Sequence, residues 1–97
     1  MTITDMTEAR TDDADVAALL SRVAAGDRDA FVSFYDSTAP RIYAVLLALT
    51  DDTVRAESLL ADIYAEAWER ASTRGVPACP AWHWLALMAH RHAAGRS

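Results

Sequence analysis

The residues best suited to binding a charged partner are gathered near the C-terminus of this chain. Residues 73–97 contain no acid and hold Arg74, Arg91 and Arg96 together with all three histidines, His83, His90 and His92. Residues 1–72 carry all 14 acids and the remaining arginines, and the chain has no lysine. A net charge of -5 argues against a general nucleic-acid coat, which needs a surplus of Lys and Arg to neutralise phosphates. The distribution instead sets a local cationic surface on an acidic body.

Covalent or metal chemistry finds little support. His90 and His92 are two apart, which on a helix points them in different directions, and His83 lies two turns before His90. No metal-ligand pair with Cys79 follows from that spacing. There is no Gly-rich phosphate loop, nucleophile motif or pair of acids beside a histidine. The chain therefore reads as a non-enzyme without a cofactor. Its single cysteine, Cys79, cannot form an internal disulfide, which agrees with a reducing compartment. No apolar run approaches the roughly 20 residues that cross a bilayer, and MTITDMTEAR lacks the basic start and apolar centre of a signal peptide. A cytosolic protein with no membrane partner is expected.

These residues must be positioned by helices. Ninety-seven residues, 53% of them hydrophobic, suffice for one modest domain and are too few for two. Abundant Ala, sparse Gly and Pro, and the lack of alternating β-branched runs imply an all-α fold, a compact bundle of three to four helices. Residues 1–12 are polar and aperiodic, expected as a disordered leader, and 13–97 form the helical domain.

Asp13 suits the N-cap of a short first helix with Val16, Leu19, Leu20 and Val23 inward, which Gly26 ends. Asp27 caps a second helix from Arg28 to about Leu49, with Phe31, Phe34, Tyr35, Thr38, Ile42, Val45, Leu46 and Leu49 down one side. Pro40 lies inside it, and because the apolar stripe stays in phase, a kink is expected and not a break. Thr50 and Asp51 turn into a third helix, capped by Asp52 or Thr53. Its core face is Ala56, Leu60, Ile63, Tyr64, Ala67 and Trp68, while Arg55, Asp62, Glu66 and Glu69 point away. The segment STRGVPACP reads as a loop, and Pro80 suits the first turn of a fourth helix over Ala81 to about Ala94. Trp84, Leu85, Leu87 and Met88 turn inward there, leaving His83, His90, Arg91 and Arg96 outside. Trp68 and Trp84 fall on core stripes, whereas Trp82 is out of phase and is expected exposed beside the loop, for partner contact or for simple loop packing.

Three spaced segments resemble region 2 of the extracytoplasmic-function (ECF) sigma factors, the small bacterial initiation factors that direct RNA polymerase to promoters. The third helix offers Ala56, Glu57, Ser58, Leu59, Leu60, Ala61, Asp62, Ile63, Tyr64 and Trp68 against the family's A-E-D-L-x-Q-E-x-F-x-x-x-W. The second helix places Asp27, Ala30, Phe31, Tyr35, Ala39, Pro40, Arg41 and Tyr43 on D-x-x-A-F-x-x-x-Y-x-x-x-A-P-R-V-Y. In the fourth, Trp84, Leu85, Met88, Ala89, His90, Arg91 and Ala93 follow A-W-L-x-x-I-A-R/H-R/N-x-A. The resemblance covers roughly residues 14 to 96. Ser58 stands where the family prefers an acid, Ala61 where it prefers Gln, and Gly95 replaces the usual Asp. No region 4 is found in the sequence.

The resemblance implies two working surfaces. Glu57, Ala61, Asp62, Ala65 and Glu69, on the exposed side of the third helix, would dock on the coiled coil of the RNA polymerase β′ subunit. Arg74, Trp82, His83, His90, Arg91, His92 and Arg96 would hold the single-stranded -10 promoter element, cations along the phosphates and planar groups against a flipped base. An anti-sigma factor covering these surfaces is a further implied partner. The alternative is a sigma-like protein-interaction module with weak or no promoter binding, which Ser58, Ala61, Gly95 and the net charge favour. For the acidic stripe alone, a solvated face is the simpler reading. A small helix-turn-helix repressor fits less well, because no pair of short helices joined by a Gly-containing turn precedes a basic recognition helix.

Overall fold

The computed structural model describes residues 15–95, so the expected leader over 1–12, the expected cap Asp13 and the candidate Arg96 lie outside the described residues. Every regular element among the described residues is a helix, as the all-α reading requires. The first, α1, is helical over 15–24 and closes through Gly26 at φ 93, whose N–H donates to the Val23 carbonyl at 2.9 Å.

Helix α2, Arg28–Thr50, starts where the Asp27 carboxylate accepts from the Ala30 N–H at 3.0 Å. Arg22 of α1 reaches the same carboxylate at 2.8 Å, so one acid caps α2 and fastens α1 to it. The Ala30 N–H first, and Arg22 second, hold the Asp27 carboxyl below its usual range. Pro40 is accommodated inside the continuous helix. Asp51 then takes the left-handed conformation, φ 54, and donates its N–H to the Leu47 carbonyl at 2.7 Å. Helix α3, Thr53–Arg74, is capped by Asp52 through the Arg55 N–H at 3.1 Å. After the loop, α4 runs over Ala81–Gly95, and the Trp84 N–H donates to the Pro80 carbonyl at 3.0 Å.

Each of α2, α3 and α4 packs on the other two. The core joins Val16, Leu20 and Val23 of α1 to Phe34, Ile42 and Leu46 of α2, Ile63 of α3 and Leu85 and Met88 of α4. Alanines 56, 67 and 71 of α3 and 89 of α4 are also buried, and their small side chains let the helix backbones approach.

The structure corrects the expected inward set at several places. The buried line of α2 follows every fourth residue through Ala30, Phe34, Thr38, Ile42 and Leu46, which leaves Tyr35 and Leu49 at its margin and exposed. Leu87 was expected inside but is 54% exposed. It lies two residues after buried Leu85, hence towards the opposite side of α4. Trp68 and Trp84 are half-buried shoulders packed against the core. Glu66, expected to point away, is turned onto α4.

Candidate functional site

Among the described residues, nothing covers the outer side of α3. Glu57, Ala61, Ala65 and Glu69 recur every fourth residue along one line with Asp62 beside it, and all five are exposed. Among the described residues, Glu57, Asp62 and Glu69 make no ion pair. Burying Ala56, Leu60, Ile63, Tyr64 and Ala67 on the opposite side of the helix turns this stripe to solvent.

Helix α4 presents three different sides. Its outermost line carries His83, Leu87 and His90, all exposed. The flank towards α2 carries Trp82, whose half-buried ring lies under the Arg41 guanidinium, 4.1 Å from the centroid. The Trp82 Nε1 atom is buried and finds no hydrogen-bond acceptor among the described residues. The ring is thus held between the core and a cation at the start of α4, directly after the loop.

The flank towards α3 carries Arg91 and His92, and both meet Glu66. Arg91 Nη2 donates to Glu66 Oε2 at 2.6 Å, and His92 Nε2 lies 2.6 Å from Glu66 Oε1. Arg70, one turn further along α3, donates its Nε to Glu66 Oε2 at 2.5 Å. Partial burial would raise the Glu66 carboxyl, but the hydrogen bonds from His92, Arg70 and Arg91 outweigh it and bring the carboxyl down to about 2. A groove of about 450 Å³ runs beside the cluster, lined by Leu59, Asp62, Glu66, Arg91, His92 and Gly95. Arg74 lines an adjoining groove with Glu66, Glu69, Arg70 and Thr73. Arg91 and His92 thus meet at the α3–α4 seam, Arg74 lies two turns beyond Glu66 along α3, His83 and His90 form a separate outer line, and Trp82 stands on the far flank. The described residues include no group of three His, Cys, Asp or Glu side chains that could hold a metal ion.

No protein-family model matches the chain, and no solved structure matches it. Curated relatives do. The ECF RNA polymerase sigma factor SigK of Mycobacterium ulcerans is 41% identical over 86 residues, covering 84% of this chain and 44% of the relative. The protein of the same name from Mycobacterium bovis is 42% identical over 82 residues, and that from Mycolicibacterium vanbaalenii 35% over 83. The chain is a homologue of the ECF sigma factors. The match is consistent with an ECF sigma region 2 domain, and the chain spans less than half the length of these relatives, 44% for the first two.

Around these surfaces, the residues that sequence reasoning missed are Glu66, Arg70 and Arg41. The Glu66–Arg70 pair is legible from its four-residue spacing. The contacts of Glu66 with α4 and of Arg41 with Trp82 depend on how helices distant in sequence cross, and nothing local signals them.

Proposed function

We propose that residues 13–97 act as the region 2 part of an ECF-type sigma factor in transcription initiation, without covalent chemistry and in the cytosol. The outer side of α3, through Glu57, Ala61, Asp62, Ala65 and Glu69, meets the β′ coiled coil of RNA polymerase. The STRGVPACP loop, the end of α3 and α4 take the single-stranded -10 element, with Arg74, Arg91, Arg96 and the histidines along its phosphates. Capture of unstacked bases offsets the few kcal/mol lost per opened step. The observation that carries this reading is the exposure of all five α3 residues on one side, in a chain 41% identical to an ECF sigma factor. No helix among the described residues is long and apolar enough to cross a membrane.

A second reading keeps the polymerase or anti-sigma surface and discards most DNA binding. Glu66 engaging Arg91 and His92, and Arg41 covering Trp82, favour it. Both are tested by measuring binding of the chain to the isolated β′ coiled coil and to labelled single-stranded -10 DNA. Binding to both supports the first reading and binding to β′ alone the second. Binding to neither leaves only the fold.

A further inference from the structure

The cations nearest to a strand-binding role are already bound to an anion within the chain. Two arginines and a histidine converge on the two oxygens of one carboxylate, Arg91 and His92 from α4 and Arg70 from α3, at 2.5 to 2.6 Å. Short charge-assisted contacts of this kind are also what guanidinium and imidazole groups form around a phosphate. The cluster is not sealed. Arg91 keeps 55% of its side chain exposed and Glu66 keeps 20%, and the groove beside them opens to solvent. An external anion can therefore reach the same donors that Glu66 holds.

We propose that Glu66 is an intramolecular competitor for the nucleic-acid strand, its carboxylate occupying the place of one backbone phosphate and restraining Arg91 and His92 until a phosphate displaces it. The identity of the incoming anion as a DNA strand rests on the function proposed above. The competition itself rests on the geometry of the cluster. A simple structural clasp makes the opposite prediction, because a residue that positions cations for the strand weakens binding when it is removed. A competitor strengthens binding when it is removed.

The experiment titrates a labelled single-stranded -10 oligonucleotide against the chain and its Glu66→Gln variant. Glu66→Gln should bind more tightly than the parent, and on lowering the salt from about 200 to about 50 mM each freed arginine should widen that advantage a further roughly threefold, a salt slope steeper by about 0.7. Arg91→Ala should cost little in the parent and should abolish most of the gain in Glu66→Gln. Where the parent binds the strand, unchanged or weaker binding by a Glu66→Gln variant of normal helicity overturns the proposal. A second arm uses pyrophosphate and follows the His92 ring resonance by NMR. The ring should shift in the parent at high pyrophosphate, and at lower concentration in Glu66→Gln if that variant folds; no shift in the parent overturns the proposal. If pyrophosphate shifts the ring but neither protein takes the strand, the competition stands and the DNA-binding function falls.

Discussion

The hydroxyls of Thr38 and Tyr64 lie 2.5 Å apart inside the core and join α2 to α3. Thr38 is wholly buried and Tyr64 nearly so. The Thr38 hydroxyl proton is already given to the Phe34 carbonyl at 2.7 Å, so Tyr64 is the donor between the two hydroxyls. Burial pushes the Tyr64 hydroxyl up to about 12, which keeps its proton in place across the physiological range.

That chain of donors gives the first prediction. Thr38→Val leaves the buried Tyr64 hydroxyl without an acceptor and should cost about 1–3 kcal/mol. Adding Tyr64→Phe removes the orphaned group and should recover much of that loss, so the double-mutant cycle in urea should show strong coupling. Additive losses would mean that the two hydroxyls do not depend on each other.

A second prediction concerns acid. The Glu66 carboxyl falls from 4.5 to about 2 in the folded chain. A depressed carboxyl contributes stability above its unfolded value, and that contribution is lost as pH falls through the folded value. The cluster with Arg70, Arg91 and His92 should therefore weaken between pH 4.5 and about 2. Urea midpoints measured across this window should fall less steeply in Glu66→Gln than in the parent. At neutral pH the same substitution should cost about 1 kcal/mol or less, and less again in high salt, because the Arg91 and Arg70 side chains keep 55% and 36% of their surface in solvent, which screens the cluster.

The helices were largely legible because their ends carry local chemistry. Asp27 and Asp52 accept from amides three residues on, and Gly26 supplies the positive φ that closes α1. The core of α3 was equally legible, since Ala56, Leu60, Ile63, Tyr64 and Ala67 hold helical spacing and all are buried. What spacing could not supply was the rotation of each helix against its neighbours. Leu87 is as apolar as Leu85, yet only Leu85 faces α2 and α3, and the third-helix acids split into an exposed line and Glu66, which α4 captures. The arginines and histidines of residues 73–97 are plain in the sequence. The pairing of Arg91 and His92 with an acid 25 and 26 residues earlier was not readable.

Two glycines should respond in opposite directions to the same substitution. Gly75 ends α3 at φ 85 and ψ -167, and a Cβ there would meet nothing within 4 Å. The obstacle is therefore the backbone itself, a region open almost only to glycine, and Gly75→Ala should cost about 1–3 kcal/mol. Gly95 also has open space around it but no positive φ, and it lies at the end of α4. Gly95→Ala should be neutral or stabilising by up to about 1 kcal/mol. Thermal melts of the two variants against the parent check both signs.

The Arg41–Trp82 contact separates packing from polarity within one side chain. The indole body is packed against the core and lies under a guanidinium at 4.1 Å, while its buried Nε1 has no partner among the described residues. A buried donor lacking an acceptor gains nothing from its polarity, so replacing it with an apolar ring removes a cost. Trp82→Phe should consequently lose less than about 1 kcal/mol, the smaller area being offset by the removal of the orphaned N–H. Trp82→Ala should lose about 3 kcal/mol or more through the cavity it opens. Arg41→Ala, which takes away only the covering cation and its stem, should cost about 0.5–1 kcal/mol. Denaturant unfolding of the three variants gives the order, and a Trp82→Phe loss close to that of Trp82→Ala would show that the indole N–H has a partner in solution and that the ring is held by its polar edge.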